Sequence, residues 1–381
     1  MHMRQKKIRL GLMALLAITT VFTACGSKAT VNEITEETSD NTTVEEAAVE
    51  EAAVEEAAGE DTSKDTASEE AAVTYPVTIT HAFGETVIES QPERIATISW
   101  GNQDVPLALG VVPVGVSKAN FGAVDENGLL FWTADKYKEL GAEEPVVFDD
   151  TDGLDYEAIS DTAPDVILAA YSGITQEEYD LLSQIAPVIA YPEYPWQTYW
   201  REQTLLDARG MGKEAEAEVL IAETEELIDT KVAEYESLQG KTAAFFYFNA
   251  SDLGTFYIYL PTDPRASYLM DLGFEFPESV LQLADDPSAF TVTISAENID
   301  SLKDIDMIVT YGDDSVLEAL QADSLVGQIP AVADGALVML DSTTALTAST
   351  TPSVLSIPAT IDEYLALLNE AAEKVNENIQ E

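Results

Sequence analysis

Hydrophobic and polar positions divide the chain of 381 residues into three stretches. Residues 10–24 are almost continuously apolar. Residues 26–74 show no hydrophobic period. From Tyr75 onward β-branched and aromatic residues appear and periodicity returns. Residues 77–80 and 86–88 alternate around 81–85, which predicts a hairpin with a five-residue loop. Residues 94–98, 111–116, 165–169 and 188–190 read as strands, with short helical patterns at 104–109 and 176–185. A long helical pattern covers 197–238, weak only at Gly210-Met-Gly212; its second part is built from strong helix formers, and Gly240 is a stop signal. Beyond it strands are predicted at 242–248, 307–310 and 337–340, with helices at 265–272 and from about Ile361. Strands alternating with helices predict an α/β fold with mainly parallel sheets. The expected architecture is two α/β lobes, 75–212 and 240–381, joined by one helix at 213–239, with a ligand cleft between them.

The first two stretches change the picture of where such a body works. Residues 1–9 carry four basic side chains and no acid, and the largely apolar stretch of fifteen residues that follows falls short of the roughly 20 of a membrane-spanning helix. A basic segment, a short apolar segment and small residues before a cleavage point make a secretory signal, expected to span 1–24. Cys25, the single cysteine, follows Phe22-Thr-Ala24 and precedes Gly26-Ser27. That arrangement resembles the lipobox of bacterial lipoproteins, with Phe22 in place of the usual leucine, and implies that Cys25 is lipidated. Residues 25–74, with three copies of Val-Glu-Glu-Ala-Ala between Val44 and Ala58, have too little apolar surface to offset ordering entropy. They are expected to form an acidic, disordered tether reaching on the order of 40 Å.

Charge removes several function classes. The formal charge is −52, from 18 Lys+Arg and 70 Asp+Glu. Such a surface repels nucleic acid and anionic lipid, so membrane attachment falls to the acyl anchor. His2 lies in the signal, so His81 is the one histidine of the body; a direct zinc or manganese receptor needs more ligands than that. No Gly-x-Ser-x-Gly, His-Glu-x-x-His or Gly-x-x-x-x-Gly-Lys pattern occurs, and a non-enzyme is expected.

A short repeat links the two halves. Asp155-Tyr-Glu-Ala-Ile159 precedes the strand ending near Tyr171, and Ser295-Ala-Glu-Asn-Ile299 precedes the strand ending near Tyr311. Each has a capping residue, then Glu157 or Glu297 two positions on, then an isoleucine. Loops after the predicted strands carry Trp100, Lys118, Tyr171, Trp196, Tyr257 and Tyr311, and aromatic faces with hydroxyl groups suit a bulky, partly apolar ligand. Trp132 is also expected near a strand-end loop.

Thr80-His-Ala-Phe-Gly-Glu-Thr-Val-Ile88, Gln91-Pro-Glu-Arg-Ile95, Trp100-Gly-Asn-Gln-Asp104, Ala163-Pro-Asp-Val-Ile167, Asp263-Pro-Arg265 and Pro352-Ser-Val-Leu-Ser356, in this order and behind a lipobox, resemble the substrate-binding lipoproteins of ABC importers for iron–siderophore, haem or cobalamin complexes. The set is most similar to the ferric siderophore branch. The resemblance implies a monomer on the extracytoplasmic face of the cell membrane, without a resident cofactor, that delivers a ferric siderophore to a permease dimer and its ATPase. It implies ligand contacts from Trp100, Lys118, Tyr171, Trp196, Tyr257, Arg265 and Tyr311, and permease docking through Glu157 and Glu297. Few basic residues favour a neutral, hydroxamate-like chelate over an anionic catecholate. Haem or cobalamin, and a surface lipoprotein without a transport role, are the alternatives.

Overall fold

The computed structural model describes residues 73–142 and 144–379. The expected signal, Cys25 and all but the last two residues of the tether lie outside the described residues.

The body opens with a hairpin, β1 (Val77–His81) and β2 (Gly84–Ile88). Its loop is two residues rather than five, because His81 pairs directly with Gly84, whose φ of 120° few other residues tolerate. His81 is buried and shares a hydrogen bond with Thr86, and Thr86 donates to the Val188 carbonyl at 2.8 Å. The histidine therefore helps clamp the hairpin to the lobe behind it.

The first lobe holds β3 (Ile95–Thr97), β4 (Gly115–Ser117), β5 (Val147–Phe148), β6 (Val166–Ala169) and β7 (Val188–Ala190). They form one parallel sheet in the order β5-β4-β3-β6-β7. Helices α1 (Asp104–Ala108), α2 (Phe131–Glu139), α3 (Tyr156–Asp161) and α4 (Gln176–Leu182) connect them. β6 is buried throughout, as a strand covered on both faces must be.

The long helical pattern is two helices, α5 (Trp200–Met211) and α6 (Glu214–Val232). Gly212 separates them in a left-handed conformation, and a β-carbon there would meet the Tyr75 hydroxyl at 2.1 Å. α6 stops at Val232, well before Gly240, since Tyr235 and Leu238 turn into the core around a 3-10 turn, Glu236–Leu238.

The second lobe's sheet is mixed where the first is wholly parallel. Its strands are β8 (Ala243–Phe248), β9 (Thr255–Tyr259), β10 (Thr291–Ser295), β11 (Met307–Tyr311) and β12 (Leu337–Leu340), in the order β10-β9-β8-β11-β12. β8, β11 and β12 are parallel, but β9 and β10 run antiparallel. Helices α7 (Pro264–Asp271), α8 (Glu278–Leu281), α9 (Asp314–Ala322), α10 (Pro330–Asp334), α11 (Ala345–Ser349) and α12 (Ser356–Ile379) complete it. α12 lays Ile361, Tyr364, Leu365 and Leu368 into a core shared with Ile228 and Val232 of α6 and Phe245 of β8. Each such aliphatic side chain contributes roughly 1.5–3 kcal/mol relative to exposure.

The lobes also meet away from α6. Val105 of α1 joins the second lobe's core, while Leu130 and Trp132 pack with Ala348 of α11. Trp132 is thus a buried helical residue, not a strand-end one.

Candidate ligand-binding cleft

A cavity of about 1160 Å³ opens between the two sheets, slightly above the roughly 300–1,000 Å³ of ordinary small-molecule sites. Most of its walls are loops that leave the C-terminal ends of the parallel strands, where open α/β sheets bind ligands. Trp100 follows β3, Lys118 follows β4, Tyr171 follows β6, and Tyr311 ends β11.

Trp100 and Tyr171 share one buried polar support. The Asn102 side chain, fully buried, accepts from the Tyr171 backbone N–H and donates to the Tyr171 carbonyl, both at 3.0 Å, and to the Ile98 carbonyl at 2.7 Å. Gln203 of α5 donates to Asn102 at 3.0 Å and to the Trp100 carbonyl at 3.1 Å. The amide of Asn102 thereby extends the β3–β6 ladder one step and fixes the direction in which Tyr171 leaves the sheet. Trp196, in a left-handed conformation with φ 61°, sets its ring edge-on to Tyr171 at 5.4 Å and flush against Gly173.

On the opposite wall, Asp263 caps α7 and Pro264 occupies its first turn, which puts Arg265 at the start of the helix. Arg265 forks onto Asp263, Nε to Oδ1 at 2.9 Å and Nη2 to Oδ2 at 2.6 Å, and donates from Nη1 to the Tyr311 hydroxyl at 3.2 Å. Its guanidinium carbon stands 4.1 Å over the Tyr259 ring. Burial works against the Arg265 charge, and the paired Asp263 carboxylate more than offsets it, holding the group well above its ordinary range. Burial also pushes Tyr171 and Tyr259 up, Tyr259 to about 12, so these phenols remain neutral donors at physiological pH. Lys118 is half-exposed at the mouth, 3.7 Å from Asp149.

Six of the seven side chains expected at the ligand, Trp100, Lys118, Tyr171, Trp196, Arg265 and Tyr311, line this cavity. Tyr257 does not. It lies in β9 rather than a loop, is 44% exposed, and packs on Tyr247, which does line the cavity. Tyr247, Tyr259 and Phe290 are lining residues that sequence reading missed; for Tyr259 the alternation of Tyr257 and Tyr259 in β9 was the available signal. Glu157 is exposed in the first turn of α3, behind the Asp155 cap. Glu297 is equally exposed behind Ser295, but in a 3-10 helix, Ala296–Ser301. Among the described residues, no three His, Cys, Asp or Glu side chains are grouped to hold a metal ion, and no helix is long and apolar enough to cross a membrane.

Behind the cleft, the fully buried Asp104 carboxylate ties the lobes. It accepts from Trp132 Nε1 at 3.0 Å, from Thr133 Oγ1 at 2.8 Å, from Gln103, and from Ser353 of the second lobe. Burial raises its pKa to about 6 despite these donors. The folded state therefore holds the Asp104 proton more tightly than the unfolded state, and ionisation costs stability as pH rises from about 4 to about 6, by roughly 3 kcal/mol in all. Asp104→Asn removes that titration. The melting temperature of the native protein should fall relative to this variant across that window and run parallel to it above. A constant difference from pH 4 to 7 would refute the assignment.

Residues 95–344 match the family model described as periplasmic binding protein. The chain belongs to that family. Members of the periplasmic binding protein family bind substrates rather than transform them. Among curated proteins, this member is similar to the probable siderophore-binding lipoprotein YfiY of Bacillus subtilis, 24% identical over 61% of this chain and 67% of YfiY. It is also similar to the ferric enterobactin-binding periplasmic protein FepB of Escherichia coli, 25% identical over 68% of this chain and 82% of FepB. Among solved structures, PiaA of Streptococcus pneumoniae TIGR4 in complex with ferrichrome is 49% identical, with a TM-score of 0.75, over 78% of this chain and 99% of PiaA.

Proposed function

We propose that this protein captures a ferric siderophore of the hydroxamate kind outside the cytoplasm and hands it, chemically unchanged, to an ABC permease. The observation that carries the reading is a large cavity walled by aromatic side chains in which both lining cations, Lys118 and Arg265, already face a carboxylate. Aromatic faces cover the apolar body of a chelate, while the phenols of Tyr171 and Tyr259 and the guanidinium of Arg265 offer donors to its oxygens. A triply anionic catecholate complex would lack convergent free cations. The likeness to PiaA, solved with ferrichrome, supports the same class.

Titration of the intrinsic fluorescence tests it. Trp100 and Trp196 line the cavity, so a neutral ferric trihydroxamate should quench emission saturably. Quenching by haem or cobalamin alone would move the ligand to that class, and a response only to bare zinc or manganese would overturn the reading.

The protein is a monomer held to the membrane by diacylglyceryl on Cys25, because stable anchoring needs two acyl chains. Cys25→Ala should release the protein into the medium or leave unprocessed precursor. Membrane-bound mature protein with a free Cys25 thiol would rule this out. Glu157 and Glu297 dock the two permease subunits, which an ATPase drives.

A further inference from the structure

The pairing of Asp263 with Arg265 does more than start a helix. Capping α7 needs one oxygen, and Oδ1 supplies it by accepting from the Arg265 N–H at 2.9 Å. Serine or asparagine would cap as well. The second oxygen and the negative charge are surplus to that task, yet Asp263 is fully buried and spends both on the guanidinium. An ion pair out of water is seldom a better source of stability than apolar packing, so the charge calls for another reason. The surroundings supply one. Asp150 and Glu178 are the other charged lining groups, and with Asp149 on Lys118 and Asp263 on Arg265, four carboxylates stand against two cations at the cleft. Arg265 presents hydrogen-bond donors there without presenting net positive charge.

We propose that Asp263 is a specificity-determining residue: by neutralising Arg265 it makes the cleft accept uncharged or cationic ferric chelates and discriminate against anionic ones. This rests on the siderophore reading above and adds the basis on which the cleft sorts its ligands. The same guanidinium without its carboxylate would attract an anionic chelate, since a buried charge acts through a low effective dielectric.

The experiment separates charge from chelation chemistry. Three ferric complexes of one linear trihydroxamate scaffold are compared, the terminal amine free and positive, acetylated and uncharged, or succinylated and negative. Their affinities are measured by fluorescence titration of the native full-length protein and its variants. The native protein should bind the uncharged complex at least about tenfold more tightly than the negative one. In Asp263→Asn, which keeps the capping oxygen, this preference should shrink by about tenfold or more, at an unchanged near-UV circular dichroism spectrum. Asp263→Ser serves as the second variant should the first fail to fold. The double change Asp263→Asn with Arg265→Gln should restore the native ranking at lower affinity for all three, which a merely structural role of Asp263 would not do. Equal native affinities for uncharged and negative complexes, a preference of native size in the single variants, or a shift that persists in the double variant would each overturn the proposal. Failure of the native protein to bind any of the three would instead overturn the siderophore reading itself.

Discussion

Tyr171→Ala is expected to raise the dissociation constant for the bound chelate by roughly 5- to 150-fold, or about 1–3 kcal/mol. Tyr171 is 5% exposed and yet lines the cavity, so its remaining free face opens into the cavity. Truncation also removes the surface on which Trp196 leans at 5.4 Å, leaving the indole without an edge-on partner. Gly173→Val provides the control. A β-carbon at Gly173 would come within 2.1 Å of Trp196 Nε1, so the indole must leave its place while the Tyr171 side chain itself is retained. If the aromatic pair forms one wall, Gly173→Val should weaken binding comparably and red-shift the tryptophan emission of the free protein. Native affinity in both variants, measured by titration with a neutral ferric trihydroxamate, would show that the ligand sits elsewhere in the cleft.

That pair also shows how far the sequence could be read. Tyr171 and Trp100 were legible because each directly follows a short apolar run of the buried-strand kind, and in an α/β sheet that position faces the crevice. What was not legible was their support. Asn102 and Gln203 are about a hundred residues apart, and nothing local in either says that the two amides meet beneath the loops. The second lobe was harder. β9 reads Thr255-Phe-Tyr-Ile-Tyr259, with tyrosines on one face and Phe256 and Ile258 on the other, so strict polar alternation is blurred and the segment passes for a loop. Missing that strand misplaced Tyr257 and hid Tyr259, which lies two residues on and beneath the guanidinium. Asp263-Pro-Arg265 declares a helix start at once. The choice of Asp263 as the partner of Arg265, rather than a ligand anion, depends on Asp263 being buried beside a guanidinium that also reaches Tyr311, which only the folded chain decides.

Replacing Glu157 and Glu297 together by alanine should reduce siderophore-dependent iron uptake to the background of a strain lacking the receptor, while affinity for the chelate stays within a factor of about two. The two glutamates are exposed, follow capping residues two positions earlier, and precede Ile159 and Ile299, both of which anchor their turns in a core. Each side chain is thus held on a fixed turn rather than a free loop, at matching places in the two halves. The lesser role open to them is stabilising the positive ends of short helices, which in an exposed setting contributes about 0.3–1 kcal/mol each. That role predicts a small fall in melting temperature and normal transport. Docking predicts the reverse, a nearly native melting curve with uptake lost, because charge pairs at a protein interface govern encounter and register more than the fold of either partner. Glu157→Gln and Glu297→Gln, made singly, should each give intermediate uptake that falls further as ionic strength rises. Full uptake by the double alanine variant, at wild-type levels of protein on the membrane, would exclude these two residues as the docking pair.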